Sequence, residues 1–273
     1  MLVYLQSKNT KGGNVKKPKK VIYYDDELNN EFSGSKIKPR TIGLNYKYIN
    51  RNPFYLFFSF IAYRLIATPI AFFYKWFKGI RFENRQVLRK FKKQGYFVFA
   101  NHTNAANDVL SPHLINFPTK TYVIVASENM NIPGLWGATK MLGALPLPTT
   151  LGVTRNFMNA IEKRLVQGHP ILIYPEAHIW PYYTEIRPFK STAFRYPIKF
   201  EAPSFCFTTT YQQNGKKKKP RMVIYIDGPF YPKEGLDIKE QQEDLRNQIY
   251  DCMVERSKNS NCKYIEYIKK ENK

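Results

Sequence analysis

The chain is poor in acid and poor in cysteine. Its 273 residues hold 21 Asp and Glu against 43 Lys and Arg, a formal charge of +22 spread along the sequence rather than gathered in one tail. Such a balance implies an anionic partner: nucleic acid, an anionic membrane face or a phosphorylated small molecule. No module of basic residues interleaved with stacking aromatics is present, so nucleic acid is not expected. The cysteines, Cys206, Cys252 and Cys262, are few, odd in number and widely spaced. That excludes a disulfide framework and a cysteine metal site, and it implies a reducing compartment. The opening "MLVYLQSKNTKGGNVKKPKK" places its charges after a very short apolar patch, the reverse of a secretory signal. There is no internal repeat. No Ser or Cys sits on a Gly-x-Ser-x-Gly elbow, so no acyl-enzyme nucleophile is indicated.

What is present begins with an ordinary globular core, 43% of residues being hydrophobic. Residues 1–50 are polar, basic and broken by Gly-Gly and Pro, and read as a flexible arm. Residues 51–80 contain "PFYLFFSFIAYRLIATPIAFFYKWF" (53–77), the longest apolar stretch and one dense in aromatics. Its length approaches the roughly 20 residues of a spanning helix. Arg64 near its middle and Pro69 in its second half oppose a simple span. Basic residues flank both ends, which places both on one side of a membrane. A bent helix or helical pair dipping into one leaflet of the cytoplasmic face of the cell membrane is expected, held by anionic lipids. A buried core helix and a single span are the alternatives.

From residue 81 onward the pattern predicts an α/β domain with a mostly parallel sheet flanked by helices. Strands are expected at 96–100, 121–126, 144–148, 171–175, 204–211 and 221–228. Helices are expected at 153–167, with Phe157, Met158, Ile161 and Leu165 on one face and Gly168 as its stop, and from Ile238 to Arg256. Strand and helix in alternation imply a sheet covered on both faces. His102 and Glu176 each follow directly on a strand end, where ligands of such sheets bind. Asp108 would open the following helix, where a carboxylate suits the helix dipole. From there it could fix one imidazole nitrogen and leave the other free to take a proton. With no nucleophilic side chain, the attacking hydroxyl would come from the substrate. Taken without further context, a His-x5-Asp pair also fits a capping role.

The blocks "NHTNAAND" (101–108) and "YPEAHIWPYYTEIRPFKSTAFRYPI" (174–198) resemble the glycerophospholipid acyltransferase family, which includes the 1-acyl-sn-glycerol-3-phosphate acyltransferases. Asn101, His102 and Asp108 match its Asn-His-x4-Asp motif with one additional residue. That residue either bulges in Thr103–Asn107 or moves Asn107 into the aspartate's place. Tyr174-Pro175-Glu176 and Phe189-Lys190 match the family's Phe-Pro-Glu-Gly-Thr-Arg and Phe-Lys segments, with Ala177-His178 replacing Gly-Thr. "MLGALPLP" (141–148), which keeps Gly143, and "APSFCFTTTY" (202–211) occupy the places of the remaining two motifs. The resemblance spans about residues 80–230. It implies a membrane-associated O-acyltransferase with His102 as base and Asp108 as its orienting partner. Glu176, Arg187 and Lys190 would hold the acceptor, with backbone amides near Asn101 or Gly143 serving the oxyanion. Arg155 and Arg195 are further substitutes for the missing arginines. The donor would be acyl-CoA or acyl carrier protein and the acceptor a lysophospholipid, with no metal and no tightly bound cofactor. A lipid-binding relative without catalysis is the alternative, followed by a basic nucleic-acid-binding protein, which the charge alone suggests. His178, Trp180, Tyr182 and Tyr183 read as structural, and Lys216–Lys219 as an exposed loop.

Overall fold

The computed structural model describes residues 18–32, 41–131, 137–215, 217 and 219–270. The strands are β1 (Lys20–Tyr24), β2 (Arg81–Glu83), β3 (Phe97–Ala100), β4 (Tyr122–Val125), β5 (Ala144–Pro146), β6 (Ile171–Ile173), β7 (Ser204–Gln212), β8 (Arg221–Phe230) and β9 (Ile265–Lys269). The long helices are α1 (Pro53–Lys78), α2 (Ala105–Ile115), α3 (Leu151–Val166) and α4 (Ile238–Ser257). β2 to β8 form one sheet in the order β2-β8-β7-β3-β6-β4-β5. β7 and β8 pair antiparallel, and the other neighbours run parallel.

The central strands are continuous apolar runs because both faces are covered. Alternation along β3 feeds two cores. Phe97 and Phe99 pack with Ile171, Ile173 and Cys206 against α3 and α4. Val98 and Ala100 pack with Leu172, Phe205 and Phe207 on the other face, toward Ile115 of α2. α4 starts at a capping box between Asp237 and Glu240 and buries Leu245, Ile249 and Met253 at helical spacing. Ile238, expected on that face, is exposed, since it lies in the first turn beyond the sheet's cover.

Of the bent helix and the helical pair expected here, the structure shows one continuous helix: α1 has 26 residues and is long and apolar enough to cross a membrane. At about 1.5 Å per residue it measures about 39 Å. Pro69 does not break it, because the residues just before, Ile61–Ala67, wind as a π-helix. The Tyr63 carbonyl then accepts from both the amide and the hydroxyl of Thr68. Arg64 is not left in an apolar setting, as its guanidinium donates to the Pro118 carbonyl. One side of α1 docks on α2, where the Tyr63 hydroxyl meets His113 Nδ1 at 2.7 Å. The other side is open and carries Phe57, Phe58, Leu65, Phe73, Trp76 and Phe77.

Within the arm expected over residues 1–50, the described residues include a strand and two buried side chains. β1 pairs in parallel with β9 to make a separate small sheet. Ile42 is fully buried, and the Tyr48 hydroxyl donates to the Pro146 carbonyl at 2.9 Å. These apolar residues are too sparse to give a periodic signal, and their partners lie far along the chain. Residues 1–17 and 33–40 lie outside the described residues, as do 132–136, 216, 218 and 271–273. Lys217 and Lys219, from the expected basic loop, are exposed.

Candidate active site

Three adjacent strands, β6, β3 and β7, aim their carboxyl ends at one rim. β3 stops at Ala100, and the chain turns through Asn101 to His102 before Asn104 caps α2 by accepting from the Asn107 amide at 3.1 Å. His102 Nδ1 lies 2.8 Å from Asp108 Oδ2. The same carboxylate oxygen accepts from the Thr103 and Asn104 amides at 3.1 and 3.0 Å. A carboxylate in the first turn of a helix, fed by two backbone donors, is held as an acceptor. The imidazole must then donate from Nδ1, which leaves the Nε2 lone pair free. The His102 side chain is 17% exposed and that of Asp108 only 3%, so the ring faces outward over a buried anchor. The additional residue of the motif is absorbed in the loop: Asp108 keeps the aspartate's place. Asn107 turns aside, its carbonyl accepting from the Ser111 hydroxyl at 2.6 Å.

Glu176 follows β6 and reaches the same loop. Its Oε2 accepts from the His102 amide at 3.1 Å and from Arg187 Nη2 at 3.2 Å, and its Oε1 accepts from the Arg187 amide at 3.2 Å. Burial pushes its carboxyl above the ordinary range, and Arg187 with the two amides pulls it back. Arg187 is itself buried, stacks over Trp180, and also donates to the carbonyls of Glu176, His178 and Glu27. Two of the three residues expected to hold the acceptor therefore bind each other beneath the rim. Lys190 is exposed.

Two other expected contacts are also displaced. Asn101 is buried, and its side chain both donates to the Thr209 carbonyl at 3.0 Å and accepts the Thr209 amide at 2.8 Å. It extends the pairing of β3 with β7 by side chain instead of offering itself to a ligand. Gly143 precedes β5, at the start of the strands and so on the opposite rim. Its φ is +110°, and a Cβ there would sit 2.6 Å from the Thr121 carbonyl oxygen, which explains the glycine by close packing. The His102, Thr103 and Asn104 amides are spent on Glu176 and Asp108, so they do not serve an oxyanion.

Several neighbours carried no clear signal in the sequence. Tyr174 stacks on the His102 ring at 4.3 Å between centroids, and its hydroxyl donates to the Asp108 carbonyl at 2.6 Å. Its place beside Pro-Glu at a strand end was the available hint. The Tyr211 hydroxyl meets Thr103 Oγ1 at 2.9 Å. The Trp180 and Tyr182 amides donate to the carbonyls of His102 and Thr103. Trp180 is fully buried, stacks on Tyr267 and donates to the Asn30 carbonyl, which ties the site loop to the small sheet. His178 Nδ1 lies 3.7 Å from Glu31. Elsewhere Cys206, Asp227 and Cys252 bring metal-type atoms within 4.8 Å of one another, but both Asp227 oxygens accept from Arg256, at 2.9 and 2.5 Å.

Comparison with known proteins follows the same lines. The family described as acyltransferase matches residues 79–209, from the end of α1 to within β7, and takes in His102, Asp108, Glu176 and Arg187. No curated protein matches the chain. The crystal structure of the 1-acyl-sn-glycerophosphate (LPA) acyltransferase PlsC from Thermotoga maritima shares the fold, with a TM-score of 0.50, 17% identity, and coverage of 74% of this chain and 87% of that one.

Proposed function

We propose that this chain, an acyltransferase by the family match over residues 79–209, moves a fatty acyl group from a thioester to the hydroxyl of a lysophospholipid at a membrane surface. The likeness to an LPA acyltransferase makes 1-acyl-sn-glycerol-3-phosphate the first acceptor to test. Acyl-CoA or acyl carrier protein would bring the acyl group. The observation that carries the reading is the 2.8 Å contact between His102 Nδ1 and the buried Asp108.

In this reading Nε2 takes the acceptor's hydroxyl proton as the oxygen attacks the thioester carbonyl. The tetrahedral intermediate collapses, the ester forms, the carbon–sulfur bond breaks, and the proton on His102 passes to the leaving thiolate. Asp108 stabilises the imidazolium and fixes its tautomer. Tyr174 restricts the ring by stacking. Glu176 and Arg187 act as positioning residues by holding the His102 amide. The open side of α1 would rest in the acyl region of the membrane, with the basic residues at its ends near anionic headgroups.

The test supplies the protein in vesicles with labelled acyl thioesters and a panel of lysophospholipids. Diacyl product from the unaltered chain and none from a folded His102→Ala variant is expected. Turnover that survives His102→Ala would remove the proposed base. Vesicle binding with no turnover in the unaltered chain would favour a non-catalytic lipid-binding relative.

A further inference from the structure

Away from His102 there is a cavity of about 520 Å³ at the other end of the sheet, where the strands begin. Tyr96 before β3, Pro170 before β6 and Thr119 before β4 all line it. Arg85, Arg89 and Lys92 stand along its wall, and no acidic residue is among its lining. Arg85 is fixed there by the backbone: its Nε donates to the Ile115 carbonyl at 2.7 Å and its Nη2 to the Phe117 carbonyl at 3.0 Å. These contacts orient the guanidinium without cancelling its charge. Arg89 follows four residues later in the same 3₁₀ helix, Arg85–Phe91, so its charge adds to that of Arg85. A pre-positioned arginine joined by two further cations and no carboxylate is a site for phosphate oxygens. The volume lies within the range of small-ligand pockets, roughly 300–1,000 Å³.

The walls indicate which phosphate. Leu88, Phe91, Ile115 and Phe117 make much of the lining apolar. Phe117 packs edge-on against Phe72 of α1 at 5.6 Å, and Arg64 of α1 donates to the Pro118 carbonyl. Two lining residues, Phe117 and Pro118, thus touch α1, and Phe72 at that contact is itself partly exposed. We infer that this cavity binds the headgroup phosphate of an anionic phospholipid whose acyl chains lie along α1, at a site separate from the catalytic rim. The site orients the enzyme on anionic membrane and takes no part in the chemistry. It goes beyond acyl transfer and does not depend on His102.

The test uses the full chain with vesicles of phosphatidylcholine alone and of phosphatidylcholine with phosphatidylglycerol. The variant Arg89→Gln/Lys92→Gln removes two exposed cations from the wall while leaving Arg85 and its carbonyl contacts in place. A charge-matched control, Lys199→Gln/Lys239→Gln, alters exposed cations on the face covered by α4. The cavity variant is expected to lose about 10- to 30-fold in binding to the anionic vesicles, at about 1 kcal/mol per cation, and little on neutral ones. The control should lose several-fold less. Equal loss in both variants would reduce the effect to general charge and overturn the site. Saturable binding of inorganic phosphate or free CoA, lost in the cavity variant while anionic vesicle binding is kept, would overturn the lipid assignment. In His102→Ala the anionic preference should be intact, so failure of the acyl-transfer reading and failure of this one are told apart.

Discussion

At the scale of single residues, the site depends on which atoms are already committed. Asp108 Oδ2 accepts from two amides as well as from His102, so only a carboxylate suits it. Asp108→Asn would turn an amide NH2 or a single carbonyl toward three donors and disturb the imidazole tautomer. It is expected to lower kcat by about 100-fold or more, with KM little changed, in the vesicle assay. Ala177 offers a second case. It has φ +63°, the left-handed region, where the related motif carries Gly. A side chain there costs about 1–2 kcal/mol, while Gly adds about 0.4–1 kcal/mol of unfolded-state entropy. Ala177→Gly is therefore expected to stabilise the chain by up to about 1 kcal/mol, read as a rise in Tm. The His–Asp pair was legible because both residues belong to one strand–loop–helix turn. The use of Arg187 was not, since its direction is set by the folded course of 177–186, which no local pattern encodes.

At the scale of elements, legibility followed burial. β3 and β6 are buried throughout and β7 in all but its last residue, and their apolar residues marked them plainly. β1 and β9 are short and largely exposed, and they pair across nearly the whole chain. β2 has three residues and one partly buried side chain, so nothing local announced it. For α1, length and composition were legible, but its continuity was not, because the π-helical stretch that accommodates Pro69 has no sequence signature of its own. The open side of this helix gives a prediction. Phe73→Glu/Phe77→Glu changes two exposed side chains one turn apart. Stability should move by no more than about 0.5 kcal/mol per site in thermal unfolding. Vesicle flotation should fall sharply if this face meets lipid. Unchanged flotation would place the membrane contact elsewhere.

At the scale of the whole molecule, an excess of cations becomes a pH dependence, because several of them are buried without carboxylate partners. Burial holds His113 down to about 4, with Lys120 adding to the effect. Burial likewise holds His169 down to about 4, with Arg164 and Lys120 contributing. Lys120 is pushed down to about 8 by burial, then by Arg164 and Arg64, and its Nζ donates to the Met141 carbonyl and to Ser59 of α1 at 3.2 Å. In each case the folded value lies below the unfolded one, so the unfolded chain binds more protons between them and stability rises with pH across that interval. For the histidines the contribution is complete above about 6.5 and is lost as pH falls through about 4. For Lys120 stability should rise again from about 8 upward, toward the ordinary lysine value. The upper step is readable only before the tyrosines intervene, since buried phenols such as Tyr96 titrate higher when folded and oppose it from about 10. Denaturant unfolding at a series of pH values should therefore show a climb from 4 to 6.5, where the two histidines outweigh the opposing raised carboxyl of Glu176, then a plateau and a second climb beginning near 8. His113→Gln should shrink the first step, and Lys120→Met should shrink the second, leaving the smaller part due to Lys140, while raising stability at neutral pH. A flat profile above 8 in the unaltered chain would mean that Lys120 keeps its ordinary affinity for the proton, and that the contact between α1 and the sheet domain is wetter than the packing of Tyr63, His113 and Lys120 implies.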